Sequence, residues 1–178
     1  MNPGIILYGP PAVGKDTITR CLEALHERYA LFPRLKAGRG RTNGYRATTP
    51  AEIEELRRRG DVLWEDQRQG ATYAIDRSRL TARLAEHVPV VHLGQVGGID
   101  AVTGAIPDTR WVVVFVWCPR EMVEVRLRNR GIEDPAEALR AWDAAPLISD
   151  RADLTINTLL YDPEDAARQI HEYVTAIG

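Results

Sequence analysis

Gly4-Ile5-Ile6-Leu7-Tyr8-Gly9-Pro10-Pro11-Ala12-Val13-Gly14-Lys15-Asp16 joins an apolar run to a glycine-bounded loop and then to a helix start. Gly4 to Tyr8 reads as a buried strand, and Asp16 to Tyr29 as a helix with Ile18, Leu22 and Leu25 on one face. Between them, Gly9 to Lys15 fits GxxxxGK in the strand–loop–helix setting that gives this motif its meaning. Such a loop turns backbone N–H groups inward around phosphate oxygens, and the helix N-terminus adds a positive field. Lys15 supplies a compact charge for the β and γ phosphates, where an arginine fork fits less well. The loop residues Gly9, Pro10, Pro11, Ala12, Val13 and Gly14, with Lys15, Asp16 and Thr17, are therefore the candidate nucleotide site. Asp16 stands where Ser or Thr usually ligates Mg2+. It is itself a hard oxygen donor, so Asp16 or Thr17 is the candidate metal ligand, with helix capping the alternative role for Asp16.

The composition strengthens this reading. The chain has 178 residues and 23 basic side chains, of which only Lys15 and Lys36 are lysine. With lysine so rare, a chance GxxxxGK anywhere in the chain has a likelihood of roughly 1%. A formal net charge of −2 and 44% hydrophobic residues indicate one folded domain and argue against a nucleic-acid binder defined by bulk charge. No apolar run is long enough to span a bilayer, and no signal-peptide pattern stands at Met1-Asn2-Pro3-Gly4. Cys21 and Cys118 form no CxxC, so a cytoplasmic protein is expected.

Outward from the loop, further strands are expected at 88–93, 111–117 and 154–157, with helices at about 50–59, 76–87, 135–145 and 163–176. Three helix starts share a cap, a proline and an acid: Thr49-Pro50-Ala51-Glu52, Asp134-Pro135-Ala136-Glu137 and Asp162-Pro163-Glu164-Asp165. Val62-Leu63-Trp64-Glu65 and Ala71-Thr72-Tyr73-Ala74-Ile75 read as a β-hairpin inserted into the alternating α/β pattern.

Two arginine-rich regions extend the chemistry. No acid occurs from Arg28 to Ala51, a stretch holding Arg34, Lys36, Arg39, Arg41 and Arg46 among glycines. A cationic, flexible segment beside a phosphate loop suits an anionic acceptor; a solvated loop or an RNA-binding arm are the other readings. Arg126 and Arg130 share a helix face, and Arg140 follows. Arginines on a closing lid can neutralise a transferring phosphoryl group. A GTPase should carry an NKxD-like motif, which is missing here. A motor or transporter ATPase should close an apolar strand with an acid, whereas Val91-His92-Leu93-Gly94-Gln95 has none. A small-molecule kinase remains.

The sequence resembles the guanylate kinase family of nucleoside monophosphate kinases. Tyr8 to Lys15 is similar to that family's GPSGxGK, and Asn43-Gly44-Tyr45 with Thr49 to Ile53 resembles NGxDYxF…xxEF. Val62-Leu63-Trp64 and Gly70 to Tyr73 resemble the FIEW…GxxYG hairpin, Pro119, Arg126-Leu127 and Arg130-Gly131 the P…RLxxRG lid, and Asp153 to Thr158 the DYVIVND segment. The resemblance implies an α/β fold: a P-loop NTPase core with a mostly parallel five-stranded sheet (residues 1–30, 76–118 and 150–178). To it are added an acceptor-binding β-hairpin and helix insert at about 34–75 and a helical lid at about 119–149. It also implies ATP and Mg2+, with Asn157 bordering the adenine. Lys15, Arg126, Arg130 and Arg140 would serve catalysis, and Lys36, Arg39, Arg41, Tyr45 and Tyr73 would bind a small phosphorylated or anionic acceptor.

The departures concern the acceptor. The family reads guanine with an acid just before the hairpin Trp, here Leu63, and with a second acid after the core strand, where His92 and Gly94 now stand. TTRxxR survives only as the shifted Lys36 to Arg41. An acceptor other than GMP is therefore expected, with Glu65 and Asp66 as candidate relocated acids. Ribose 1,5-bisphosphate phosphokinases resemble the chain in carrying GKD and lacking the guanine acids; a secondary-metabolite kinase is another possibility. A hydroxyl acceptor would need a base, for which Asp16, His92 and Asp100 are candidates. A non-catalytic guanylate kinase-like binding module is the alternative of another class.

Overall fold

Gly4–Tyr8 is buried along its whole length and forms β1, the middle strand of a five-stranded sheet. The structure is a computed structural model that describes residues 1–40, 42–68, 70–132 and 134–177. On either side of β1 lie β7 (Val88–Leu93) and β8 (Trp111–Trp117); β2 (Tyr29–Leu31) and β9 (Leu154–Asn157) form the edges. The order is β2-β7-β1-β8-β9 and every pairing is parallel. Helices cover both faces of such a sheet, which is why its strands read as continuous apolar runs without alternation. Ile5 and Leu7 pack with Ile18 and Leu22 of α1 (Lys15–Leu25) and with Ala166, Ile170 and Val174 of α7 (Pro163–Ile177). Ile6 and Tyr8 face the other way. They pack with Leu80 and Leu84 of α3 (Arg77–Glu86) and Ile99 and Val102 of α4 (Val96–Ala105). This is the P-loop NTPase fold expected from the sequence.

Among the differences from the sequence reading, one helix ends earlier and another was not expected. α1 stops at Leu25, and Tyr29 opens β2 by pairing with Val88. The apolar period continued past the helix end because Tyr29 is buried for a different partner. α4 was hidden by Gly97, Gly98 and Gly104. Two of these glycines admit Trp64: a Cβ at Gly97 or Gly98 would lie 3.0 Å from its indole.

A second sheet, in the order β4-β3-β6-β5, stands beside the first. It comprises β3 (Arg34–Ala37), β4 (Tyr45–Thr48), β5 (Val62–Arg68) and β6 (Ala71–Asp76). The expected hairpin is β5–β6, with β5 running on to Arg68. The basic stretch is less flexible than its composition suggested, because Arg34 to Ala37 is a buried strand held between β4 and β6. Leu35, Ala37 and Ala74 turn outward onto Ile53 of α2 (Pro50–Arg58). Arg34, Lys36, Tyr73 and Asp66 turn inward, with Lys36 opposite Tyr73 and Tyr73 opposite Asp66. α2 starts with a Thr49–Glu52 capping box. α5 (Arg120–Asn129) and α6 (Ala136–Ala144) follow β8. Among the described residues no helix is long and apolar enough to cross a membrane.

Candidate active site

The phosphate loop is set by β1 and α1. Gly9 donates its N–H to the Leu93 carbonyl at 3.1 Å, and any Cβ there would lie 2.2 Å from the Val116 carbonyl oxygen. Val13 is buried in the core and anchors the loop, while Ala12 and Gly14 adopt φ of 62° and 115°. Lys15 Nζ donates to the Gly9 and Pro10 carbonyls at 2.5 and 2.8 Å. Burial lowers its pKa to about 7; Asp16 opposes that shift, and Arg34, Arg68 and Arg130 add to it. A desolvated ammonium ringed by guanidiniums favours an incoming anion, so this donor set fits the phosphates of a nucleotide.

Arg126 braces the loop. Its guanidinium donates to the Val13 carbonyl at 3.0 Å, to Thr158 Oγ1 at 2.9 Å and to the Thr158 carbonyl at 3.0 Å. Arg130 lines the phosphate cavity, together with Asp16, and also a neighbouring cleft of about 590 Å3. Thr17 and residues 158–163 line that second cleft too. Asp16 and Thr17 therefore serve different spaces. Asn157 shapes the rim of the second cleft from within: its side-chain oxygen accepts from the Leu159 N–H at 2.9 Å and its carbonyl from Leu160 and Tyr161. Arg140 is exposed on α6 and lines none of these clefts.

A third cleft, of about 560 Å3, opens onto the inner face of the second sheet. Lys36, Arg39, Tyr45 and Tyr73 line it as expected, and Arg41 lies outside the described residues. Arg34 and Arg68, which sequence reasoning did not name as acceptor-site candidates, line this cleft too. The Tyr45 and Tyr73 ring centroids are 5.1 Å apart. Lys36 Nζ lies 5.9 and 5.6 Å from them, and the Arg34 guanidinium 5.8 and 5.5 Å. The Arg68 guanidinium sits 4.8 Å over Tyr73. Aromatic faces let three cations crowd together, each contact contributing roughly 0.5–1 kcal/mol where water still reaches it.

No protein-family model matches the chain. The guanylate kinase of Nocardia farcinica is 30% identical over 92% of this chain and 88% of its own length. That of Mycolicibacterium paratuberculosis is 32% identical over 79% of this chain and 66% of its own length. The chain belongs to the guanylate kinase family. Among solved structures, the guanylate kinase of Anaplasma phagocytophilum superposes with a TM-score of 0.68 at 17% identity, covering 99% of this chain and 86% of that one. At that identity the likeness is one of fold. As a guanylate kinase family member, the protein is a phosphotransferase of the P-loop kinase type.

Within this guanylate kinase-like site the acids are rearranged. Leu63 sits at an irregularity of β5, where pairing shifts between Val62 and Trp64, and packs against the core. Gly94 lines the phosphate cavity with no side chain to offer. Glu65 is half-buried on the α2 side of the sheet and pairs with Arg57 at 2.9 Å. Asp66 turns inward, 2.7 Å from Arg68 Nε and 3.4 Å from both Arg34 Nη1 and Gln95 Nε2. Its carboxylate is committed to holding cations. The period-two spacing of Trp64, Asp66 and Arg68 was the available signal for Arg68, and that of Arg34 and Lys36 for Arg34. Of the candidate bases, Asp100 is exposed and paired with Arg151. His92 lines both the phosphate cavity and the acceptor-side cleft, and burial lowers its pKa.

Proposed function

We propose that the protein transfers the γ-phosphoryl group of ATP to a nucleoside monophosphate or another phosphorylated or anionic metabolite, and that this acceptor is not GMP. The observation that carries the reading is the shared wall. Pro11, Asp16, Arg34, Tyr45, Arg68 and His92 line both the phosphate cavity and the acceptor-side cleft. A phosphate on Lys15 and an anion on Lys36 would therefore meet across one partition.

In this reading the loop backbone and Lys15 hold the triphosphate, and Arg126 keeps the loop carbonyls turned away from it. Arg130, which lines the phosphate cavity, would offset the charge that develops as the bond between the γ phosphorus and the β–γ bridging oxygen breaks. Lys36, Arg34, Tyr45 and Tyr73 orient the acceptor, whose oxygen forms the new bond to that phosphorus. An acceptor that is already an oxyanion needs no base. Asp16, or Thr17 from the neighbouring cleft, would hold Mg2+, which when bound neutralises phosphate charge. The second sheet with α2 acts as the acceptor-binding insert, and α5–α6 as the lid that carries Arg140.

The case against GMP rests on energetics. A guanine edge carries an N1–H and an amino group, and each buried donor left without an acceptor costs about 1–3 kcal/mol. Leu63 and Gly94 provide no carboxylate for them, and Asp66 is engaged by Arg34 and Arg68. The test is a panel of nucleoside monophosphates and sugar phosphates with ATP, scored by ADP release. Turnover with a non-guanine acceptor is expected. Turnover confined to GMP overturns the substrate reading, and calorimetry showing no binding of ATP with Mg2+ would favour a binding module instead.

A further inference from the structure

The cleft beside the phosphate cavity has an apolar lip that the phosphotransfer scheme does not use. Leu159, Leu160 and Tyr161 follow β9 and line it, and they are 50, 74 and 41% exposed. Consecutive large apolar side chains left uncovered at a cleft mark a place where an apolar group docks. The cleft adjoins the phosphate cavity, because Gly14 and Arg130 line both. Arg126 lines it too, its guanidinium held by Val13 and Thr158, and such a plane stacks readily on an aromatic face. With phosphates on Lys15, the flat group that reaches this lip is the base of the nucleotide.

The polar groups around the lip are spent within the chain. The Thr158 N–H is donated to the Trp117 carbonyl at 2.9 Å and that of Leu159 to Asn157 Oδ1 at 2.9 Å. Those of Leu160 and Tyr161 both go to the Asn157 carbonyl at 3.0 Å. Thr158 Oγ1 donates to the Val13 carbonyl at 2.6 Å and accepts from Arg126. Asp162 Oδ1 accepts the Asp165 N–H at 2.8 Å at the start of α7, and Asp165 pairs with Arg168. Asn157 holds the turn and is not among the residues lining the cleft. Adenine and guanine differ in the donors and acceptors on their edges. A site separates them strongly only where a buried donor or acceptor is left unpaired by the wrong base. The Tyr161 hydroxyl both donates and accepts, so it suits either edge.

We propose that Leu159, Leu160 and Tyr161 grip the base of the phosphoryl donor by its faces and not by its edge, so that the protein takes ATP and GTP as donors with little discrimination. The inference rests on the kinase reading in placing the donor's phosphates on the loop, and it adds to that reading which residues set donor specificity.

The experiment titrates the full chain, with Mg2+ present, against non-hydrolysable analogues of ATP and GTP and against tripolyphosphate, which has no base. Calorimetry reads the affinities, and neither acceptor nor turnover is needed. The two analogues are expected to bind within about tenfold of each other, and a wider gap in either direction overturns the proposal. Leu160→Ala combined with Tyr161→Ala changes two exposed side chains, so the fold should tolerate it. The double variant should weaken both analogues alike, by about tenfold to a hundredfold, and leave tripolyphosphate unchanged. Unchanged analogue affinities overturn the proposal. So does an equal loss for tripolyphosphate, since the lip would then shape the loop and not hold a base. Binding of neither analogue sinks the kinase reading together with this one, whereas a site selective for one base sinks this proposal alone.

Discussion

The phosphate cavity and the acceptor-side cleft share a wall but are built on different principles. The first is made of backbone: a contiguous loop, held by Val13 in the core and by Arg126 on its carbonyls, with one lysine at its centre. The second is made of side chains from alternate positions on four strands, Arg34 and Lys36 on β3, Tyr45 on β4, Tyr73 on β6 and Asp66 and Arg68 on β5. A backbone site depends on chain conformation and tolerates few changes of shape. A side-chain site can exchange its chemistry one residue at a time. The molecule keeps the GxxxxGK loop, and the residues that depart from the guanylate kinase pattern lie around the cleft proposed to take the acceptor, as that difference leads one to expect.

The largest expected effect is therefore on the backbone site's single charge. Lys15→Ala should lower kcat with ATP by about a hundredfold to a thousandfold, the range for removing one preorganised charge-stabilising donor. Steady-state ADP release checks it. The same lysine gives the ligand-free protein a pH dependence. Its pKa falls from 10.5 to about 7 on folding, chiefly by burial. Between those values the unfolded chain binds a proton that the folded chain has released, so stability should rise with pH across that window; below it the cost of burying the charged lysine is full and independent of pH. Phosphate binding restores the charged form. Calorimetry in buffers of different ionisation enthalpy should show uptake approaching one proton per nucleotide at about pH 8, and little at about pH 6.

On the side-chain site, Asp66→Asn is expected to act next most strongly. It removes the carboxylate that holds Arg34 and Arg68. Loss of one partner of a buried pair costs roughly 3–5 kcal/mol; with Arg68 partly exposed, about 3 kcal/mol is expected by chemical denaturation. The nucleotide analogue should bind less changed than the acceptor, because Arg34 and Arg68 line the phosphate cavity while Lys15 and the loop backbone stay in place.

The same division explains what was legible in the sequence. The phosphate loop and the parallel sheet were readable because each is a local, contiguous pattern: Gly9 to Lys15, and the apolar runs of β1, β7 and β8. The acceptor face was half readable. Lys36, Tyr45 and Tyr73 stood out by composition and motif, whereas Arg34, Arg68 and Asp66 acquire a role only when register sets Lys36 against Tyr73 and Tyr73 against Asp66. The period-two spacing puts Trp64, Asp66 and Arg68 on one face, but the bulge near Leu63 cuts that phase off from the start of the strand, so the spacing alone does not say which face turns inward. Arg140 was named from its order along the chain, and in this structure α6 holds it in solvent, away from the clefts. A smaller change sharpens the point. Lys36→Arg keeps the charge but exchanges a compact ammonium, held at 5.9 and 5.6 Å between two rings, for a longer planar fork. Acceptor KM should rise by about fivefold to tenfold, or about 1 kcal/mol, with the KM for ATP unchanged. An unchanged acceptor KM would remove Lys36 from the acceptor site.

The smallest effect tests whether the loop's shape itself carries function. Ala12 holds φ at 62°, a left-handed conformation that costs a residue with a Cβ about 1 kcal/mol and glycine almost nothing. Ala12→Gly relieves that strain, but the added freedom of the unfolded chain costs about 0.4–1 kcal/mol in the other direction. The two nearly cancel, so the melting temperature should move by no more than about 2 °C. The KM for ATP should nonetheless rise about twofold to fivefold, because a glycine loosens amides that the native loop holds ready for phosphate. A fall in stability with no change in ATP binding would show that Val13 and Arg126, and not the residue at position 12, set the loop's geometry.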